Sequence, residues 1–543
     1  MPISKNKVQD WFIALSIFIA IVVVLGIPFT KWGFKTDDWA NILHSKIDSF
    51  ADLKNLFIEG NMESINHPSG TAPDRGSFLQ GLYRPLSFVY YYPQMLLFGT
   101  KAYGYFLTTV ILHALNAGLF FILLRYFFSL LPALLAALFF GFHPSLQNWL
   151  GWISAQTYFI ELLVQGIIFL CFYCWLKQHK WWWYASALGL FFINLLLKEA
   201  GIVLPSWVFL AILFFSEQPF IARLKNACIQ ASGFLGIALL YCIIRLKVMP
   251  FAVSQTTTLG FTLSWESFLS KQIARCMQFL TYIYDVLGLT WLPKGHRLLN
   301  GSILCILLLL FCILFFKSSR KKTILFCFIS TIIFSWPGLL MHYQPRYMYM
   351  ALPWAIAGLT LLLQDFSWTL HWRKFLYGAE LSCIGACAIY IFANMKERET
   401  ALHWLDTEMR KLVYEQLPTA GWHKEPIYFL GLPCHWFDMG TAQAIWFLDN
   451  AKTNSYPVYQ SGPFVYIPDK NHPRAIPASK QADIKITLEA NMFKIEEGSS
   501  NLFKLLKPEE SLTSIPATLI DQGLWIITWD YVDGRFKILK RFS

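Results

Sequence analysis

Thr36-Asp37-Asp38-Trp39 places two adjacent carboxylates just past an apolar run at 11–29. A carboxylate so placed can take a proton as a general base or, as one of a pair, contact a metal. Such a pair can equally cap a helix, because Asp suits that position. A second set of polar and cationic groups stands at the ends of other apolar runs. Tyr83-Arg84-Pro85-Leu86 precedes 104–124, His143-Pro144 closes 130–143, and Lys198-Glu199 closes 181–197. Arg245 and Lys247 close 227–246, and a segment from His342 to Tyr347, with Arg346 in it, follows 323–340. Singly these are bland, since a long cation snorkels and His-Pro stops a helix. Several gathered on one face of a bundle would hold an anion. A third set, His113 and Asn116, lies three residues apart inside an apolar run, where such side chains more commonly bond helices together than act on a ligand.

The composition says what must position these groups. The chain has 543 residues, of which 56% are hydrophobic, 17% aromatic and 14% charged, whereas a soluble domain carries about 25% charged residues. That excludes a soluble enzyme, a disordered chain and a secreted disulfide scaffold, and it points to a polytopic membrane protein. Of eleven cysteines, Cys276 and Cys434 alone lie outside apolar stretches, so no disulfide framework or zinc spacing emerges. A spanning helix needs about 20 apolar residues. Eleven runs are read as spans: 11–29, 104–124, 130–143, 157–176, 181–197, 201–215, 227–246, 301–316, 323–340, 349–363 and 375–394. The first is longer than a signal-peptide core and lacks a cleavage site, so it is expected to be retained.

The net charge of +12 is largely a topology signal. Thirteen Lys and Arg residues, from Lys5 to Lys374, fall in the short segments on one side, while the two shortest loops on the other, 144–156 and 341–348, hold Arg346 alone. That bias puts the N-terminus inside and, with an odd span count, the C-terminus outside. Nothing in it calls for nucleic acid. Three segments on the outer side are long: 30–103, 247–300 and everything from 395. The first two carry amphipathic aromatic pieces, 83–98 and 268–291, expected to lie as helices in the membrane interface. The polar, Pro-rich tail reads as a small α+β domain, which divides the chain into a membrane module, 1–395, and an extracytoplasmic domain, 396–543. Within the tail, 397–416 has helical spacing through Leu402, Leu405, Met409, Leu412 and Val413. Segments 426–432, 463–467, 482–488 and 524–529 read as strands, 439–450 as a helix, and Asp533-Gly534 as a hairpin turn.

In this order and topology the residues resemble the lipid-linked-sugar glycosyltransferases of the GT-C superfamily, nearest to the protein O-mannosyltransferase-like branch, including the transmembrane O-mannosyltransferases that carry TPR repeats. The resemblance runs from Asp37 to about Pro353. It rests on Asp37-Asp38-Trp39, Tyr83-Arg84-Pro85-Leu86, Leu112-His113-Ala114-Leu115-Asn116-Ala117, Phe142-His143-Pro144 with Trp152, Lys198-Glu199-Ala200-Gly201-Ile202-Val203-Leu204-Pro205, and Arg346-Tyr347. The chain departs from the family pattern after His143-Pro144, where Asn148 and Gln156 replace an acidic residue and an Arg. The tail stands in place of TPR repeats.

The resemblance implies a mostly α, GT-C-like bundle of transmembrane helices. It also implies a polyprenyl-phosphate sugar donor at the outer membrane surface and inverting transfer to a hydroxyl of a lipid such as lipid A, a glycan or a protein. The chemistry suits the residues. A phosphate leaves as a stable anion, so one carboxylate base suffices if cations hold that phosphate, whereas a glycosidase needs a second carboxyl to protonate its leaving group. Carried over residue by residue, Asp37 or Asp38 is the base. The other orients the acceptor or contacts a divalent cation, Mg2+ or Mn2+, the one cofactor the resemblance admits. Arg346 comes first for the donor phosphate, because its fork matches phosphate oxygens, followed by Lys198 and then Arg84 and Arg245. Glu199 would position Lys198, His143 or Tyr347 would touch sugar or phosphate, and Trp39 and Trp152 would stack on a sugar face. The simplest compartment is a bacterial inner membrane with the tail in the periplasm, and the endoplasmic reticulum has the same topology. Two other functions suit such a composition: a lipid-linked-oligosaccharide transporter and a non-catalytic membrane scaffold. A transporter gathers ionisable groups near mid-membrane in two related halves, whereas these sit at outer helix ends.

Overall fold

A computed structural model of the chain describes residues 7–58, 83–248, 309–340, 348–364 and 370–430, together with short helical and strand segments of the tail up to 541. The described residues are mostly α-helical. The first half holds α1 (Lys7–Leu25), α2 (Thr36–His44), α3 (Phe50–Ile58), α4 (Pro85–Phe98), α5 (Ala102–Leu124), α6 (Leu130–Gly141), α7 (Gln156–Gln178), α8 (Trp181–Leu197), α9 (Leu204–Phe215) and α10 (Phe220–Val248). Then follow α11 (Lys321–Leu340), α12 (Leu352–Gln364) and α13 (Leu370–Lys411). Five stretches are long and apolar enough to cross a membrane: Val8–Leu25, Ala102–Leu124, Ile153–Gln178, Phe220–Val248 and Lys374–Thr419. Four more are apolar but shorter, including those at the expected runs 130–143 and 201–215. Proline shortens both regular helices: Pro144 opens a 3-10 turn, Pro144–Asn148, after α6, and Pro205 stands in the first turn of α9 after a second 3-10 turn, Glu199–Val203. The run at 301–316 is described from residue 309, where the chain is helical. Large apolar side chains remain exposed around the bundle, among them Trp11, Phe12, Leu239 and Ile389, as suits a surface that meets hydrocarbon.

Inside the bundle the mid-membrane pair acts as a tie. His113 Nδ1 lies 2.8 Å from the Tyr349 hydroxyl and Nε2 3.1 Å from the Gly141 carbonyl oxygen. Asn116 donates to the Phe159 carbonyl at 2.8 Å and to the Tyr349 hydroxyl at 3.2 Å. Four parts of the chain, α5, α6, α7 and the turn before α12, are thereby joined around buried polar groups that would otherwise be costly in hydrocarbon.

The first outer segment is fixed by α13, which runs unbroken through residues 395 and 396. Leu402, Leu405, Met409, Leu412 and Val413 are all buried, so the expected tail helix is the continuation of the last span. Glu399 accepts the Lys31 amide at 2.7 Å and pairs with Lys396 at 2.5 Å. Arg410 pairs with Asp406 at 2.8 Å and donates to the Thr100 carbonyl at 2.5 Å. Trp32 stacks on Phe106 with ring centroids 4.2 Å apart.

Beyond α13 the described tail is built of strands: β1 (Ile427–Leu430), β2 (Val458–Ser461), β3 (Val465–Tyr466), β4 (Ile484–Glu489), β5 (Met492–Glu497), β6 (Lys504–Leu505), β7 (Leu512–Ser514), β8 (Trp525–Asp530) and β9 (Arg535–Arg541). The largest sheet has the order β2-β1-β8-β9, parallel at β1–β2 and β1–β8 and antiparallel at β8–β9. The strands expected at 426–432, 463–467, 482–488 and 524–529 coincide with β1, β3, β4 and β8. Asp533-Gly534, most of the expected helix at 439–450 and the piece at 268–291 lie outside the described residues.

A Cβ at Gly33 would sit 2.2 Å from the Leu402 carbonyl oxygen, closer than any real contact. Gly33→Ala is therefore expected to cost about 2 kcal/mol and to lower the melting temperature in detergent. Gly189→Ala, where a Cβ meets nothing within 4 Å, should leave it unchanged or raise it.

Candidate active site

α2 begins at Thr36 because Lys35 is held extended, with φ −117° and ψ 145°, and the Asp38 carboxylate turns back to cap it. Asp38 Oδ2 accepts the Lys35 amide at 2.9 Å. Its Oδ1 accepts both the amide, at 2.7 Å, and the hydroxyl, at 2.8 Å, of Ser154. Ser154 sits in a short 3-10 turn, Ile153–Ala155, directly ahead of α7, and it also accepts from Asn41 at 2.8 Å. Asp38 is fully buried. With three donors on its two oxygens it fits a helix cap and interloop clamp better than a metal ligand. Among the described residues, no group of three His, Cys, Asp or Glu could hold a metal ion. Asp37 stands beside it on the first turn of α2, with its side chain outside those described. Trp39 is buried against Phe34, ring centroids 4.3 Å apart. Trp152 is half-buried and carries the Lys35 ammonium 5.1 Å from its ring centroid.

α4 connects this corner to the cations. Pro85 opens it, a position where a missing N–H costs nothing. Ser87, Tyr91 and Gln94 then form a buried polar stripe at helical spacing. Ser87 donates to the Leu197 carbonyl at 2.6 Å, Tyr91 to the Ile153 carbonyl at 2.9 Å, and Gln94 to the Gln156 side chain at 3.0 Å. Gln156 donates onward to the Tyr105 carbonyl at 2.5 Å. The segment expected to lie as a helix in the interface is a helix, and it ties the Ser154 turn to the end of α8.

At that end Lys198 is extended, with φ −162°, and only 3% exposed. Its ammonium lies 3.2 Å from the centroid of the Tyr158 ring, a cation–π contact. The next residue, Glu199, is half-buried and takes a two-pronged fork from Arg84: Nε to Oε2 at 2.6 Å and Nη2 to Oε1 at 2.5 Å. Burial alone would raise the Glu199 carboxyl. The charges of Arg84 and Lys198, with the Arg84 hydrogen bonds, more than offset this and hold it at about 2. Burial likewise works against the Arg84 guanidinium, and Glu199 holds it above its ordinary range. Glu199, expected from the sequence to position Lys198, is thus bonded to Arg84 by both carboxylate oxygens. Tyr241 donates to the Tyr83 carbonyl at 3.1 Å, and Arg245, one turn further along α10, lies at the edge of the same group.

The structure therefore brings Lys198, Glu199 and Arg84 together, with Arg245 one turn along α10 from Tyr241. His143 is buried elsewhere, capping the turn after α6, with Nδ1 accepting the Ser145 amide at 3.4 Å. Arg346 and Tyr347 lie outside the described residues. One residue was passed over in the sequence: Glu161, inside the run 157–176. It is fully buried, with its carboxylate beside the Gly201 backbone. The side-chain amides of Gln165, one turn on, and Asn194 on α8 have no hydrogen-bond partner among the described residues. An ionisable residue within an apolar run was the available signal.

No protein-family model matches the chain, and no curated protein does. Among solved structures it is similar to the Archaeoglobus fulgidus oligosaccharyltransferase tethered with an acceptor peptide, at 11% identity over 82% of this chain and 64% of that one, with a TM-score of 0.45. It is also similar to ArnT from Cupriavidus metallidurans, at 12% identity and 82% of this chain. The form bound to undecaprenyl phosphate is covered to 86% with a TM-score of 0.43, and the apo form to 85% with 0.45. The chain spans less than two thirds of the oligosaccharyltransferase's length.

The Glu199 carboxyl titrates below its ordinary 4.5, so its contribution to stability is complete above that value and is lost as the pH falls toward 2. Unfolding measured from pH 6 to pH 3 should show this loss in the wild type and a shallower one in Glu199→Gln. Arg84→Met, which strands the carboxylate, should cost about 3 kcal/mol at pH 7, and more than Arg84→Met combined with Glu199→Gln.

Proposed function

We propose that the protein is an integral membrane glycosyltransferase that moves a sugar from a polyprenyl-phosphate donor to a hydroxyl of an extracytoplasmic acceptor, with inversion. The observation that carries this reading is the riveting of an acidic helix start to a buried cation cluster by α4, whose stripe bonds both the Ser154 turn and the end of α8. Inverting transfer to a hydroxyl from a phosphate needs those two parts, a base and a cationic phosphate site, held at fixed separation.

In this reading the acceptor oxygen attacks the anomeric carbon from the face opposite the phosphate. The new carbon–oxygen bond forms as the bond to the phosphate oxygen breaks. The acceptor proton passes to a carboxylate, and the lipid phosphate leaves with the bonding electron pair, its negative charge met by Lys198 and Arg346. Asp38 is already bound by three donors, so Asp37 is assigned as the base and Asp38 as the clamp that orients it. Arg84 and Glu199 form the wall that keeps Lys198 in place, and Arg245 adds positive potential at its edge. Tyr347 is proposed to contact sugar or phosphate and Trp152 to stack on a sugar face, while the buried His143 and Trp39 support the turn after α6 and α2 from the core. The bilayer supplies the groove for the polyprenyl chain. A bacterial inner membrane with the tail in the periplasm is the proposed compartment, and 396–543 the portion that meets the acceptor.

Sugar transfer should be assayed in membranes supplied with lipid-linked donor. Asp37→Asn is expected to lower kcat by about a hundredfold or more with an unchanged melting temperature. Asp38→Asn should lower both activity and melting temperature, because it weakens the clamp on α2. Full activity in Asp37→Asn would remove it as the base.

A further inference from the structure

We propose that the tight link between α7 and α8 holds the headgroup of an anionic phospholipid, through Lys177, Lys180, Trp181 and Trp182, at the membrane interface opposite the candidate active site. α7 starts at the Ser154 turn and has 23 residues. At 1.5 Å per residue its far end lies about 35 Å away, enough to cross the hydrocarbon of a bilayer. In the orientation expected from the sequence this is the cytoplasmic side. Two residues reverse the chain there, because His179 adopts the left-handed region, with φ 54° and ψ 24°, and α8 begins at Trp181. The Cα atoms of Lys177 and Lys180 are consequently at most about 11 Å apart.

The aromatic residues of this corner divide into two groups. Trp175 donates to the Gln230 side chain at 2.8 Å, Tyr184 to the Gln230 carbonyl at 2.7 Å, and Trp183 to the Gln178 side chain at 3.3 Å. These three fix the hairpin to α10 and across its own link. Trp181 and Trp182, by contrast, are 71% and 46% exposed, and their indoles have no hydrogen-bond partner among the described residues. The Lys180 ammonium lies 5.2 Å from the Trp182 ring centroid and that of Lys177 5.9 Å from the Tyr173 ring centroid. Among the described residues neither meets a carboxylate, and the stretch from Tyr173 to Tyr184 contains no Asp or Glu. A ring face attracts an ammonium without neutralising it, so positive charge remains beside two indoles. An exposed indole sits at headgroup level with its body against acyl chains, and cations at that level attract anionic lipid. Free phosphate would meet the two ammonium groups alone, whereas a phospholipid also brings the apolar chains that the indoles cover. A zwitterionic phospholipid carries its own cation and gains less. Charge and exposed apolar surface together select an anionic phospholipid.

The test is native mass spectrometry of the purified full chain in non-ionic detergent, titrated with dioleoyl phosphatidylglycerol or dioleoyl phosphatidylcholine, with inorganic phosphate as competitor. Phosphatidylglycerol should bind more tightly than phosphatidylcholine and resist displacement by free phosphate. Lys177→Gln and Lys180→Gln should each weaken its binding about fivefold, and together about thirtyfold. Trp181→Ala with Trp182→Ala should weaken it about tenfold. Lys321→Gln with Lys322→Gln removes as much charge from the first turn of α11, on the same expected side of the membrane, and should leave binding unchanged. Wild-type affinity in the double lysine variant overturns the proposal. So does an equal loss in the Lys321 and Lys322 variant, equal affinity for phosphatidylcholine, or displacement of the lipid by free phosphate. Should the double lysine variant not accumulate, the single variants decide: a loss in either supports the proposal, and wild-type affinity in both overturns it.

Discussion

The fork between Arg84 and Glu199 is the interaction on which the rest of the site depends. Two opposite charges 115 positions apart in the chain meet at the end of an apolar bundle, where neither could stand alone. Their pairing fixes where α4 begins and how the chain leaves α8. Arg84 is committed to a carboxylate in fork geometry, the arrangement that guanidinium forms best. Lys198, next to that carboxylate, lies on the face of the Tyr158 ring.

From that fork α4 carries order across one end of the bundle. Each hydrogen bond of its buried stripe is worth about 1 kcal/mol net, yet the three together set the separation between the cation cluster and the turn that clamps Asp38. The remaining face of the acidic loop is set by α13, through Glu399 on the Lys31 amide and the close approach of Gly33 to Leu402. The start of α2 is therefore gripped from two sides, by the Ser154 turn that α4 bonds and by a helix that lies some 370 residues later in the chain.

How much of this was legible in the sequence varies with the range of the interaction. The bundle was readable because an apolar run needs no partner to be recognised. The capping use of Asp38 was one of its open readings, since an Asp three residues past Lys35 is a local pattern. Its clamp was not, because Ser154 lies 116 positions away. The last apolar run was read as ending at 394, yet α13 continues beyond it, with Glu399 paired to Lys396 along the helix and accepting the Lys31 amide. Glu199 was expected to position its neighbour Lys198, and the fork it makes with Arg84 was hidden because the two lie 115 positions apart. Glu161 was hidden by the strength of the apolar signal around it.

The central claim is that a lipid phosphate sits on Lys198, on the side facing the acidic helix. An experimental structure of the full chain with undecaprenyl phosphate tests this directly. The account predicts a phosphate oxygen about 2.8 Å from Lys198 Nζ, with the Arg84–Glu199 fork intact. A phosphate bound elsewhere, with the Lys198 ammonium still on the Tyr158 ring, would contradict it.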